Sequence, residues 1–273
     1  MAKKLSKILL YAIVTLGAIT MLIPFLWMLS TSLKTAPETI KVPPIWIPKS
    51  LQWGNYIKAW SEAPFARYFV NSVVVTSVTT VGQLFTSILA AFAFARLKFF
   101  GKNLIFVIFL GTMMIPGEML IIPNFVTLSK LGMIDHYAAL IVPWLASFFT
   151  VFTLRQAFQS TPEQIYYAAK MDGATDWKYL WTVLVPMSKS TITAVTVLQV
   201  IGSWNAFMWP LIVTNTETMR TLPVGLQAFT TDAGTEYQLL MAASTFVIIP
   251  MVILYMFLQK YIIAGISKAG LKG

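Results

Sequence analysis

The chain has 273 residues, of which 57% are hydrophobic and only 11% charged, with a formal net charge of +10 and no cysteine. A soluble domain of this size needs far more charge to cover its surface, so the composition excludes an ordinary water-soluble globule and indicates a membrane protein. Disulfides and thiolate metal sites are excluded, and the basic residues fall at the ends of apolar runs rather than along one face, which argues against nucleic acid as a partner.

Six apolar runs are long enough to cross a bilayer, which takes about 20 mostly apolar residues because backbone groups in lipid must be satisfied within the segment. They are residues 8–29, 68–95, 103–128, 137–158, 191–213 and 239–263. Lys3, Lys4 and Lys7 precede the first, as in a secretory signal. Its apolar run is too long for one and no small-residue cleavage site follows, so a retained span is expected. Residues 30–67 then form an outer segment containing "KVPPIWIPKSLQW". Pro43, Pro44 and Pro48 resist regular structure there, and Trp46 and Trp53 suit the membrane interface.

Span two carries Asn71 and Gln83. Span three reads "MMIPGEMLIIPNF", and Pro116, Gly117 and Pro123 predict broken backbone. Glu118 lies in that break and is the only acidic residue of the apolar runs; it either serves a path through the membrane or sits hydrated at the outer mouth. Span five carries Gln199 and Asn205, beside Trp204 and Trp209. The outer loop 214–238 is acidic through Glu217, Asp232 and Glu236.

Charge sets the orientation. With the N-terminal end in the cytoplasm, the inner segments hold Lys3, Lys4, Lys7, Arg96, Lys98, Lys102, Arg155, Lys170, Lys178, Lys189, Lys260, Lys268 and Lys272. These outnumber Lys34, Lys41, Lys49, Lys58, Arg67, Lys130 and Arg220 outside, as the positive-inside rule prefers. Both termini are then cytoplasmic. The expected organisation is a first span with its outer segment (1–67), a core of five spans (68–263) and a cytoplasmic tail (264–273).

Between spans four and five lies "YYAAKMDGATDWKYLWTVLVP", residues 166–186. Thr161, Pro162 and Gln164 form a helix-start pattern. The helix carries Ile165, Ala168 and Ala169 on one face and stops at Asp172 and Gly173, where glycine can turn left-handed. Thr175 caps a second helix whose Trp177, Leu180, Trp181 and Leu184 recur at i, i+3, i+4 and i+7. Pro186 then breaks the chain. Two short helices at a tight turn suit a knob whose small residues admit a cytoplasmic partner; the alternative is an amphipathic hairpin lying on lipid.

No residue pattern supports catalysis. The phosphate-binding G-x-x-x-x-G-K-[ST] loop is absent, and "FFGKNL" lacks its upstream glycine and its hydroxyl. His136 stands without partners for a metal or a triad. Asn71, Gln83, Glu118, Gln199 and Asn205 are candidates to line a translocation path, with Trp204 and Trp209 able to stack on sugar rings. The competing role for each is helix-to-helix adhesion or interfacial anchoring. An ion-coupled secondary transporter would want several buried ionisable groups, and only Glu118 qualifies. A non-transporting scaffold that docks a cytoplasmic protein also fits the insert.

The insert resembles the cytoplasmic loop of ATP-binding-cassette importer permeases, which runs Glu-Ala-Ala, three residues, Gly and later an aliphatic-x-Leu/Val-Pro ending. Its Asp-Gly-Ala at residues 172–174 is similar to the maltose-type carbohydrate importers. "FLWMLSTSLKT", "RYFVNSVVVT", "GSWNAFMWPLIV", "TLPVGLQAF" and "AGISKAGLKG" are similar to that family's smaller permease subunit. The sequence departs at Tyr167, usually Glu, and at Ala206, where an acidic residue often follows Asn. The resemblance implies an all-α type I permease fold of six transmembrane helices with a cytoplasmic coupling helix between spans four and five. It implies half of a sugar or oligosaccharide pore in a bacterial or archaeal cytoplasmic membrane. The partners implied are a second, related permease, two cytoplasmic ATPase subunits that bind ATP and Mg, and an extracytoplasmic sugar-binding protein. This chain then carries no cofactor of its own. The ATPase-coupling residues implied are Glu163, Tyr167, Ala168, Ala169, Asp172, Gly173 and Ala174. Glu163 lies one helical turn before Tyr167 and is expected to supply part of the missing carboxylate's charge.

Overall fold

The computed structural model describes residues 2–231 and 234–270, with side chains described for residues 6–231, 234–257 and 259. Asp232 and Lys272, and the side chains of Lys3, Lys4, Lys260 and Lys268, lie outside the described residues, as does most of the "AGISKAGLKG" motif.

In chain order the elements are α1 (Ala2–Ser32), α2 (Ala36–Thr39), α3 (Gly54–Glu62), α4 (Phe65–Arg96), α5 (Lys102–Thr112), a 3-10 turn (Gly117–Leu120), α6 (Ile121–Lys130), α7 (Tyr137–Ile141) and a second 3-10 turn (Val142–Trp144). They continue with α8 (Phe148–Gln159), α9 (Glu163–Met171), α10 (Asp176–Tyr179), a π turn (Leu180–Leu184), α11 (Val185–Met187), α12 (Lys189–Trp204) and α13 (Met208–Val213). Short turns and α14 (Leu222–Gly225) lead to the hairpin of β1 (Thr230–Thr231) and β2 (Gly234–Thr235), then α15 (Tyr237–Gly270).

Among the described residues, three helices are long and apolar enough to cross a membrane: Ser6–Ser32, Phe65–Arg96 and Tyr237–Phe257. Three bent pairs pass the same test jointly: Lys102–Thr112 with Gly117–Lys130 (94°), Tyr137–Trp144 with Phe148–Gln159 (41°), and Asp176–Met187 with Lys189–Trp204 (81°).

The bends have local causes. Pro116 lacks an N–H and disfavours helix at Ile115, so α5 stops before it. Pro123 does not add to the break. It sits in the first turn of α6, where backbone N–H groups lack helical partners anyway. The run expected as span four is interrupted after Trp144, and α8 restarts on Ser147, whose side chain accepts from the Thr150 N–H at 3.3 Å. The run expected as span five is also interrupted: α12 ends at Trp204 and α13 begins at Met208. Pro210 cannot donate to the Ala206 carbonyl that a continuous helix would offer it. Nor does Pro186 break the chain as expected. It lies inside α11, and the bend follows at Ser188.

The chain divides into two compact units. One comprises Met1–Phe65 and Gly225–Val252. On its α1, Leu9, Leu16 and Leu22 are more than half exposed, as on a lipid-facing helix. The end of that helix is closed by Asn55, whose amide donates to the carbonyls of Ser32 at 2.8 Å and Lys34 at 2.9 Å. These are carbonyls that no later helical turn can satisfy. Phe65 stacks on Phe229 at 5.9 Å and on Trp60 at 6.2 Å, and Phe246 meets Trp60 edge-on at 5.1 Å.

The other unit comprises Ala66–Val224 and Ile253–Gly273. Its core has two centres. Phe94, Phe106, Leu154, Phe158, Tyr179 and Leu184 bring α4, α5, α8, α10 and the π turn together. Val75, Leu128, Leu140, Trp209 and Val213 do the same for α4, α6, α7 and α13.

Asn55→Ala should remove both capping bonds and lower stability by about 1–2 kcal/mol, since each such bond contributes roughly 1 kcal/mol. The measurement is the thermal midpoint of the purified protein in detergent, and an unchanged midpoint would refute the capping role.

Candidate functional site

The segment from α9 through α11 is a helical hairpin, and its turn has a defined geometry. Gly173 adopts φ +76°, a left-handed conformation that glycine takes without steric cost. The Gly173 N–H donates to the Lys170 carbonyl at 3.1 Å and the Ala174 N–H to the Ala169 carbonyl at 2.9 Å. That pair of bonds is the Schellman arrangement, which satisfies the last carbonyls of α9. Thr175 accepts from the Lys178 N–H at 3.2 Å and so caps α10. At the other end, the capping box expected on Thr161 and Gln164 does not form. The helix begins at Glu163 without a side-chain cap.

Three side chains lock the two arms. The Tyr166 hydroxyl donates to Asp176 Oδ1 at 2.7 Å, and Lys170 Nζ meets the same oxygen at 2.7 Å. Lys170, and then the Tyr166 hydroxyl, hold the Asp176 carboxyl below its ordinary value. Burial, followed by the hydrogen bond to Asp176, pushes the Tyr166 phenol up to about 12. Tyr166 also meets Tyr179 edge-on at 5.0 Å. A tyrosine and an aspartate placed on either side of a glycine turn were the available sequence signal for this lock.

The hairpin's faces differ from the periodic reading. Ile165, Tyr166 and Ala169 pack inward against the core, whereas Ala168 is exposed beside Tyr167, Met171, Asp172 and Gly173. Ala174 is partly buried. On the second arm Leu180 and Leu184 are buried and Trp181 packs against the same core, while Trp177, on α10 ahead of the π turn, is 58% exposed.

The hairpin is tied to the helices before it by Arg96, at the end of α4. Its guanidinium donates to the Phe158 carbonyl at 2.7 Å and to the Thr161 carbonyl at 2.5 Å. Glu163 stands 4.0 Å from it, so this carboxylate has an intrachain counter-charge. The Arg96 side chain is 3% exposed and that of Glu163 70%.

The candidate path residues do not converge. Asn71 is buried, and its amide donates to the carbonyls of Thr218 and Arg220, both at 2.8 Å, while accepting from the Tyr137 hydroxyl at 2.6 Å. Gln83 donates to Thr150 Oγ1 at 3.2 Å. Trp204 is buried edge-on to Phe69 at 6.1 Å. Glu118 is exposed in its 3-10 turn, and Asn205 is exposed where α12 ends. Gln199 alone among them lines a cavity of about 290 Å³, which it shares with Ser203, Thr76, Thr79, Trp144 and Trp209. Among the described residues, no group of three or more His, Asp or Glu could hold a metal.

Residues 83–268 match the family described as binding-protein-dependent transport system inner membrane component. The chain is 36% identical over 255 residues to the arabinooligosaccharides transport system permease protein of Bacillus subtilis (strain 168), covering 92% of this chain and 91% of that protein. It is 31% identical to the sn-glycerol-3-phosphate transport system permease protein of Yersinia enterocolitica, covering 84% of each. Its fold is similar to a chain in the crystal structure of a bacterial ABC transporter involved in the import of the acidic polysaccharide alginate. The TM-score is 0.83 at 22% identity, over 96% of this chain and 98% of that one.

Tyr166→Phe should loosen the hairpin by about 1 kcal/mol, the order expected for one partly solvated bond to a charged acceptor. Hydrogen exchange of the amides in residues 172–176 should accelerate several-fold, and unchanged exchange would contradict the lock. While Asp176 is ionised, the phenol's raised pKa keeps the contact intact up to pH 10, and it is lost on the alkaline side as pH rises through about 12.

Proposed function

Since the chain belongs to the family of binding-protein-dependent transport system inner membrane components, we propose that it forms one half of the translocation pore of an ATP-driven importer for a sugar or oligosaccharide. The three long helices, the bent pairs 102–130 and 137–159, and α12 with α13 each count as one crossing, which makes six spans, with both ends of the chain in the cytoplasm and α10 to α11 outside the membrane. The hairpin of α9 to α11 is the coupling element. Two cytoplasmic ATPase subunits receive its exposed tip and hold the ATP and Mg, a second related permease completes the pore, and an extracytoplasmic binding protein delivers the sugar.

The observation that carries this reading is the hairpin itself. Its inward face is packed into the core and locked by Tyr166, Lys170 and Asp176, while Tyr167, Ala168, Met171 and Gly173 are left exposed together at one tip. A rigid projection with small residues at its end is suited to transmitting motion from a partner, because packed interfaces shift as bodies rather than deform. Tyrosine cannot carry charge near neutral pH, and Glu163 is engaged with Arg96. Docking at Tyr167 therefore rests mainly on apolar contact. The alternative, an ion-coupled secondary transporter, would want several buried ionisable groups within its spans, and Glu118, the acidic residue of the apolar runs, is exposed.

Gly173→Val forces a branched residue into a left-handed turn. Co-expressed with its partners, this variant should insert in the membrane normally but recover at least about fivefold less ATPase subunit on purification. Wild-type recovery would show that the hairpin tip is not the docking element. A cysteine placed at Lys170 should stay shielded from an impermeant thiol reagent in intact cells, while one at Glu217 should react; labelling of the Lys170 position from outside would overturn the orientation.

A further inference from the structure

Thr76 and Thr79 lie in the middle part of the 32-residue α4, so by a rise of about 1.5 Å per residue they sit roughly 17–21 Å from its start and roughly 26–30 Å from its end. Both are buried, at 6% and 1% exposure, and so is Thr221 at 5%. All three line the 290 Å³ cavity, and none of their hydroxyls has a hydrogen-bond partner in the chain. That is unusual, because a buried hydroxyl without a partner destabilises the fold by about 1–3 kcal/mol. Thr193, Thr196 and Thr245 avoid it by bonding back to a carbonyl four residues earlier, whereas Thr80 on α4 is buried without a partner but away from the cavity. Three such groups around one cavity form a set of donors and acceptors aimed at something other than the protein.

The remaining walls define what that is. Gln199 and Ser203 add an amide and a further hydroxyl. Trp209 and Trp144 add aromatic surface, with ring centroids 6.2 Å apart at 82°. Trp209 is fixed in place, since its indole N–H donates to the Ala139 carbonyl at 2.9 Å. No charged residue lines the cavity. A sugar ring has a rim of hydroxyls that both donate and accept, and apolar C–H faces. Hydroxyls and an amide match that rim, and indoles match those faces. A phosphate or a carboxylate would enter with no counter-charge and lose its hydration uncompensated. The volume lies near the lower end of the range of about 300–1,000 Å³ for small-molecule pockets, which suits a single ring of a longer chain.

We propose that this subunit itself holds one neutral sugar ring in transit, in a pocket formed by Thr76, Thr79, Thr221 and Gln199 against Trp144 and Trp209. This rests on the importer reading above and adds to it that the ring bound is uncharged and that this chain contacts it directly.

The test uses the complete complex in proteoliposomes with its binding protein, ATP inside, and two labelled probes: arabinotriose, which is neutral, and trigalacturonate, which is acidic. The wild type should import arabinotriose and not trigalacturonate. The Thr76→Val/Thr79→Val double variant should import arabinotriose about tenfold more slowly, with assembly unchanged and the thermal midpoint equal or higher, because unpartnered hydroxyls have been replaced by methyls of similar shape. Thr80→Val serves as the control. Thr80 is also buried and without a partner on the same helix, but it does not line the cavity, so import should be unaffected. Wild-type import by the double variant would overturn the pocket, as would an equal loss of import in Thr80→Val or a lowered midpoint in the double variant. Import of trigalacturonate alone would overturn the neutral pocket and leave the importer reading standing. Import of neither probe, nor of any sugar that the binding protein holds, would contradict the importer reading on which the pocket depends.

Discussion

The arrangement turns on one buried cation. A guanidinium that is 3% exposed must find its hydrogen-bond partners inside the protein, because an unsatisfied buried charge costs several kcal/mol. Arg96 finds them at the Phe158 and Thr161 carbonyls, which belong to the end of α8 and to the loop that leads into α9. Both bonds leave one terminal nitrogen, Nη2, whose two N–H groups reach one carbonyl each. The end of α4, the end of α8 and the start of the hairpin are thereby fixed to one another. In the proposed assembly, a push on the hairpin tip is delivered to α4 through this joint.

From there α4 acts as the spine of its unit. Near its N-terminal end Asn71 holds the backbone of residues 218–220, and Ser72 accepts from the Leu222 N–H at 2.8 Å. At the middle, Thr76 and Thr79 face the cavity. At its C-terminal end stands Arg96. One helix thus connects the α9–α11 hairpin, the proposed sugar pocket and the loop of residues 214–222. Asp135, at φ 64° in the connection between α6 and α7, accepts from the N–H groups of Asn215 at 2.8 Å and Thr216 at 3.0 Å in that loop. The loop is therefore pinned by side chains from α4 and from the connection between α6 and α7.

Features that depend on local stereochemistry were legible in the sequence. The left-handed turn at Gly173, the Thr175 cap and the break at Pro116 each follow from what one residue type permits. Features that depend on distant partners were not. Asn71 reads as a polar residue in a span, and only the fold brings Thr218 and Arg220 to it. Arg96 reads as a charge marking the cytoplasmic edge, yet it is buried and bonded. The interruptions after Trp144 and after Trp204 were hidden because each apolar run continues through them; Pro143 with Ser147, and Pro210, were the signals present. Three of the four residues expected on the face of the second hairpin arm, Leu180, Trp181 and Leu184, pack against the core, and Trp177 is exposed. The polar candidates proved dispersed, because apolar-run analysis cannot tell a residue that glues helices from one that lines a cavity.

The central claim is that the Arg96 joint transmits the partner's motion into α4. The most direct measurement is the amount of sugar imported per ATP hydrolysed by the Arg96→Gln complex in proteoliposomes. The account predicts that the complex assembles and hydrolyses ATP, but that the ratio falls at least about fivefold, the lower end of typical coupling between sites. A ratio equal to the wild type's, in an assembled complex, would contradict it.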